Sequence, residues 1–447
     1  MAHHIRWTQN EHSTLKMASA PTSPDNFYRP FVERVRASVH QPTDTDEALR
    51  LLDGAAADEV HSRVPRTIRS KDGIFFSGHA LAQETAKLAK DSISNGASIF
   101  DPACGAGDLL LAAAKLLPIQ KTLNETLHSW GEILGGTDLH QAFVDATKWR
   151  LILLAKYRHG QHLDTKKIDF EGIFPGISKL DYFTNPEISD PYDCILVNPP
   201  FGHRKAPENC SWSTGRTQLA ALFLDTVLKH RKVGQIVVAV LPDVLRGGTR
   251  YRKWREMVEG SAKVTATRIY GRFEKRTDVD VFISRYERAI NIAASQPPIS
   301  PVNELKATVS DVFAIAVGAV VPHRHVGKTG NWRPYLTVAN APKDSEIAVT
   351  NKRRFDGKCV QPPFVAIRRT SNPSDLQRIV CTIVTGTDLV AVENHLLTLV
   401  PHSGEISACR RLVKHLNSQL ATDHVNDQLR CRHLTTTALK SLPLTGW

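Results

Sequence analysis

Asn198-Pro199-Pro200-Phe201 is the stretch of this chain whose residue types and spacing are best suited to chemistry. It follows Cys194-Ile195-Leu196-Val197, a short apolar run that reads as a buried strand. Two prolines can neither extend a ladder nor enter a helix interior, so the chain must leave the sheet there as a stiff, extended turn. Open α/β sheets place their chemistry at the carboxyl edge of such strands. Asn198 offers an amide oxygen, Pro199 a carbonyl outside any ladder, and Phe201 an aromatic face. Together they suit a planar ring that carries an amino group, with two acceptors for its hydrogens and one face for stacking.

A second stretch lies upstream. Ile99-Phe100-Asp101-Pro102-Ala103-Cys104-Gly105-Ala106-Gly107-Asp108 runs into an apolar, helix-like segment at 109–117 that stops at Pro118. Strand, glycine-rich turn and helix are the start of a nucleotide-binding unit. The glycines permit close backbone approach, and the helix N-terminus carries partial positive charge. Leu110 stands where a dinucleotide fingerprint has its third glycine, which argues against a pyrophosphate ligand. Residues 133–138 read as the next strand, ending in an acid. A carboxylate there can accept both hydroxyls of a ribose, and Asp138 can equally cap the helix that starts near Gln141.

The two motifs together resemble the amino-methyltransferases that use S-adenosylmethionine, specifically the DNA adenine-N6 methyltransferases of restriction–modification systems. In that family a D-P-A-C-G-x-G loop holds the cofactor and an N-P-P-[YF] turn holds the target base. Both are complete here and in that order, and the resemblance covers roughly residues 70–290. It implies S-adenosyl-L-methionine as cofactor and a Rossmann-like α/β core with a mixed seven-stranded sheet. It implies Asp101, Ala103, Cys104, Gly105 and Gly107 in the cofactor loop, and Asp138 with Leu139 at the ribose. Asn198, Pro199, Pro200 and Phe201 then form the catalytic turn, Asn198 also touching the cofactor. Gly73-Ile74-Phe75-Phe76-Ser77-Gly78-His79 resembles the element that closes over the methionine part, which assigns Phe76 and Ser77 to the cofactor. Ser77 replaces the usual threonine and Gly78 the usual proline, so a looser turn is expected. A further acid should meet the cofactor's adenine. Asp181 lies 17 residues before Asn198, as the family spacing implies, and Asp169 competes with it. The link 271–278, with Phe273, resembles the loop that packs against the flipped base.

Elements must position these residues. Residues 1–25 read as a flexible leader without an apolar signal core, and 26–70 as a helical N-terminal extension. Residues 71–290 form the catalytic domain, 291–301 a proline-rich linker, and 302–447 a smaller α+β unit that loosely resembles target-recognition segments. Within the core, helices are expected at 81–88, 217–228 and 251–258, and strands at 234–242, 264–270 and 279–284.

Composition bounds the rest. Hydrophobic content of 41% and charged content of 23% are those of a globular chain, and no run reaches the length of a membrane span. Seven dispersed cysteines without a C-x-x-C pair fit a reducing cytoplasm and no zinc site. His323-Arg324-His325 lacks further spaced ligands and reads as surface. Residues 1–200 hold 21 Lys and Arg against 25 Asp and Glu, whereas 201–447 hold 36 against 20. All the excess positive charge follows the Asn-Pro-Pro-Phe turn, which points to a polyanion. Double-stranded DNA is the expected partner, and the resemblance leaves room for a specificity subunit or a cognate restriction endonuclease. The same tetrapeptide occurs in methyltransferases of RNA, of cytosine N4 and of protein glutamine. A basic C-terminal unit argues against the last. A non-catalytic DNA-binding modification subunit is the remaining alternative.

Overall fold

The computed structural model describes residues 23–41, 44–160, 172–247, 250–274, 277–287, 307–325, 329–372, 375–428 and 433–444. Most of the expected leader, the linker 291–301, Asp169 and the second glycine of the Gly247 turn lie outside the described residues.

The core is one sheet of seven strands. They are β1 (Ile99–Asp101), β2 (Leu134–Asp138), β3 (Ile177–Lys179), β4 (Cys194–Val197), β5 (Ile236–Pro242), β6 (Lys263–Glu274) and β7 (Thr277–Glu287), in spatial order β3-β2-β1-β4-β5-β7-β6. The first five are parallel, and β7 runs antiparallel to both β5 and β6. Parallel strands are covered on both faces, which is why β4 and β5 read as continuous apolar runs. In β2 the interior is glycine for want of room. A Cβ on Gly135 would sit 2.1 Å from the Tyr192 hydroxyl.

Strands β6 and β7 are longer than the alternation predicts. Bulges between Ile269 and Gly271 and between Arg272 and Glu274 let β6 continue past the glycine, so Phe273 lies on a strand and not on a link. The helix expected from 217 begins instead at Leu219 (Leu219–His230), because Arg216–Gln218 pairs with His203–Lys205 in an exposed two-stranded hairpin.

Helices Pro24–His40, Thr45–Leu52, Ala55–Arg63 and Arg66–Asp72 precede the sheet. Tyr28, Phe31, Val32, Val35 and Val39 belong to the same hydrophobic core as β1, β4 and β5. Polar contacts fasten them further. Lys156, on helix Gln141–His159, donates to the carbonyls of Val39 at 2.8 Å and Gln41 at 2.9 Å, capping the first helix. The fully buried Arg150, one face further up that helix, donates to the carbonyls of Leu51, Leu52 and Ala106 and to Asp108.

Past residue 307 a five-stranded sheet and a three-stranded sheet share one buried cluster, and helix Ile406–Leu416 packs on the five-stranded sheet around another. Arg246 of the core, held by Asp243, donates to the Asn426 carbonyl at 2.9 Å and to that of Asp427, at the end of helix Gln419–Gln428.

Candidate active site

Strands β1, β2, β3 and β4 all point their carboxyl ends to one edge, and the loops that leave them converge there. The glycine loop after β1 is tied to β2. Cys104 N–H donates to the Thr137 carbonyl at 2.8 Å, and Gly105 N–H to Asp138 Oδ2 at 3.1 Å. Gly105 and Gly107 have φ of +52° and +89°. A Cβ on Gly105 would lie 2.9 Å from the Phe76 ring, and one on Gly107 2.8 Å from Thr147. Both positions require glycine for conformation and for space.

Asp101, 1% exposed, accepts from Ala103 N–H at 3.0 Å beneath the loop. Burial holds its carboxyl well above the usual carboxylate range, with that hydrogen bond opposing. Asp138 is pushed up as well, by burial, against the N–H groups of His140 and Gly105. Leu139 beside it is 54% exposed, an apolar side chain left open on the cleft wall. Asp181 lines the same cleft and accepts from Phe183 N–H at 3.0 Å.

Asn198 closes the cleft from the β4 side. Its Nδ2 donates to the Phe75 carbonyl at 3.3 Å and to Ser77 Oγ at 3.1 Å. With its donors directed there, the amide can face only one way, and Oδ1 is buried with no partner. A buried, unsatisfied acceptor costs about 1–3 kcal/mol and marks a place built for a donor. Asn198 lines two adjoining pockets: one reaches past Asp138, Leu139 and Asp181, the other lies over Asp101, Cys104 and Gly105. Phe76 and Ala103 also border both.

Of the turn, Asn198 and Pro200 line the cleft, and Pro199 and Phe201 do not. Phe201 is 5% exposed, stacked on Phe75 (5.7 Å, 29°) and edge-on to Phe273 (5.1 Å, 70°). Gly73 is why the turn sits so close, since a Cβ there would be 2.7 Å from the Phe201 carbonyl oxygen. Gly78 does what proline cannot. Its φ is +65°, and its N–H donates to Asp108 Oδ2 at 2.9 Å, so the turn expected to be looser is tied down.

Sequence reasoning missed His140, Phe183, Arg204, Leu219 and Phe223, which also line the cleft. Phe183 neighbours Asp181 and Arg204 follows the tetrapeptide closely, so proximity could have found them. Phe223 gives no such signal, being one apolar residue of an apolar helix.

The strand order, the reversed β7 and the edge site define a class I methyltransferase core. Residues 62–266 match the model of the N-6 DNA Methylase family. No curated protein matches the sequence. Among solved structures, the chain is similar to the type IIG restriction endonuclease BpuSI at 14% identity and a TM-score of 0.43, over 87% of this chain and 61% of that one. It is similar to a modification subunit of a putative type I restriction enzyme from Vibrio vulnificus YJ016 at 20% identity and a TM-score of 0.33, over 52% of this chain and 50% of that one. The type IIL restriction-modification enzyme MmeI, in complex with DNA, matches at 12% identity and a TM-score of 0.46, over 94% and 70% of the two chains. The chain thus spans 61% and 50% of the first two.

The family's cofactor is S-adenosylmethionine, and the residues present fit it. Carboxylates lie at two strand ends, Gly105 borders both pockets with the Phe76 ring packed against it, Leu139 is exposed on the cleft wall, and Asn198 borders both pockets. Among the described residues no helix is long and apolar enough to cross a membrane, and no group of three or more His, Cys, Asp or Glu comes together.

Proposed function

We propose that this protein is a site-specific DNA methyltransferase that modifies N6 of an extruded adenine, as the modification component of a restriction–modification system in the cytoplasm. S-adenosylmethionine supplies the methyl group when bound. Asp138, Leu139, Asp181 and the Asp101–Gly107 loop hold it, with Phe76 against the glycine backbone. The single observation that carries the reading is Asn198, which borders both pockets and whose oriented amide keeps a buried Oδ1 without a partner.

The exocyclic nitrogen of adenine is a poor nucleophile because its lone pair is delocalised into the ring. Asn198 Oδ1 and the Pro199 carbonyl accept its two hydrogens and draw the nitrogen toward tetrahedral geometry, which returns the lone pair to it. The departing proton passes to solvent. Pro200 stiffens the turn, and Phe201 offers the ring face that Phe75 occupies in this structure. Much of the gain is positional. The duplex hides this nitrogen, so the base must leave the stack, at a cost of a few kcal/mol.

The test is transfer of label from S-adenosylmethionine to DNA, RNA and protein in parallel. DNA adenine should take the label, and Asn198→Ala should lose it by orders of magnitude while keeping cofactor affinity. Near-normal turnover by that variant would remove Asn198 from the chemistry. Label in RNA or protein alone would overturn the substrate.

A further inference from the structure

The hairpin that follows the Asn-Pro-Pro-Phe turn has a charge arrangement that the catalytic reading does not use. Strand His203–Lys205 pairs antiparallel with Arg216–Gln218, so that Lys205 stands directly opposite Arg216. Like charges facing each other across two strands are destabilising. Arg250 adds a third cation, donating to the Arg216 carbonyl at 3.0 Å, while Arg216 donates to the His203 carbonyl at 3.0 Å. Lys205, Arg216 and Arg250 are all exposed, and no carboxylate among the described residues pairs with them or with Arg204. The only acid between 202 and 219 is Glu208.

The excursion is held rigidly despite this repulsion. Leu219 N–H closes it onto the Gly202 carbonyl at 2.9 Å. Trp212, 7% exposed, anchors its far end by donating to Asp225 at 3.1 Å. Strand alternation then sorts the side chains. Arg204, opposite the buried Thr217, lines the cleft and lies over the Phe183 ring at 5.5 Å. Lys205 and Arg216 take the other face. An uncompensated positive ribbon therefore borders the cleft through Arg204, with Lys205 and Arg216 on its outer face.

We propose that this hairpin is a phosphate clamp on the DNA strand that carries the target base, with Lys205, Arg216 and Arg250 neutralising the phosphodiesters beside the extruded nucleotide. The proposal rests on the reading of the chain as a DNA methyltransferase. Its cost to the folded hairpin is offset only when a polyanion lies between the opposed charges, so the clamp acts on substrate and not on cofactor.

The test uses the full chain and a fluorescent DNA duplex that contains adenines on both strands. Duplex affinity is measured by anisotropy against salt, alongside kcat, KM for DNA and affinity for S-adenosylmethionine. Each phosphate contact contributes about 0.9 to the logarithmic salt slope. Lys205→Gln with Arg250→Gln should lower that slope by about two and raise KM for DNA by about ten- to a hundredfold near physiological salt. The kcat at saturating DNA and the cofactor affinity should stay within about twofold. Lys205→Gln with Arg250→Lys should recover about half of that loss of slope, because one of the two charges returns. An unchanged slope in the double variant, with DNA methylated normally, would overturn the clamp and leave the enzymatic reading standing. A lowered slope in a protein that methylates no DNA would leave a phosphate-binding hairpin but overturn that reading, and with it the assignment to a target strand. A fall in cofactor affinity equal to the fall in DNA affinity would also overturn the clamp.

Discussion

Asn198 is oriented by its neighbours, and that orientation can be tested one atom away. Ser77 Oγ receives one of its N–H groups at 3.1 Å. Removing a hydrogen bond of this kind is worth about 0.5–1.5 kcal/mol. Ser77→Ala should therefore lower kcat by up to about tenfold and leave cofactor affinity unchanged, as read by single-turnover kinetics and calorimetry. A weakened affinity with intact kcat would return the hydroxyl to the cofactor role that the family resemblance gives it. Asp138 provides a second test, by pH. Burial raises its carboxyl above the usual value of about 3.9, so it takes up a proton earlier on acidification than a free aspartate. Its ionised form is the acceptor for ribose hydroxyls. Affinity for S-adenosylmethionine should accordingly be full near neutrality and fall as pH drops through that raised value, before ordinary carboxylates titrate. The same shift has the opposite sign for folding, since the proton is bound more tightly in the native state. This group's contribution to stability therefore grows on acidification, and lost affinity without unfolding is the expected signature. Affinity that stays flat until ordinary carboxylates titrate would remove Asp138 from the ribose.

At the level of elements, Arg150 joins three of them: helix Thr45–Leu52 through two carbonyls, the glycine loop through Ala106, and Asp108 through a 2.9 Å ion pair. Asp108 in turn holds Gly78 N–H and so the segment behind Asn198. Arg150→Met would leave Asp108 without its counter-charge. Breaking a buried pair costs about 3–5 kcal/mol, and urea unfolding should show a loss of that order. The elements also show what sequence can and cannot disclose. Strands β1, β4 and β5 were legible because parallel strands bury both faces and need unbroken apolar runs. The hairpin at His203–Lys205 was not, because three exposed polar residues carry no period. Its pairing then consumed Thr217 and Gln218, which is why the following helix starts two residues later than its apolar pattern suggested. Phe273 was misplaced for a related reason, as a glycine reads as a stop until bulges show that the strand absorbs it. The motif residues could be named individually, but their mutual orientation could not. That Ser77 faces Asn198, and that Phe201 turns toward Phe75 and Phe273, are tertiary facts.

Across the whole molecule, the catalytic core and the C-terminal unit meet through Arg246. Its guanidinium lies on the carbonyls at the end of helix Gln419–Gln428, where the helix dipole is negative. Arg246→Ala should loosen this attachment. Limited proteolysis should cut the variant between the two regions faster than the parent, while affinity for S-adenosylmethionine is retained. Equal cleavage rates would show that other contacts carry the attachment. If the C-terminal unit reads the target sequence, the same variant should methylate with relaxed site preference.

The helices before residue 71 share their oily interior with the sheet, and Lys156 and Arg150 grip their ends from the other side of the cofactor loop. Recombination between relatives is thereby constrained. A crossover placed at the edge of the recognisable motifs would set two buried cations against helix ends whose carbonyls are no longer placed for them. Viable chimaeras should inherit their opening helices and their glycine loop from the same parent.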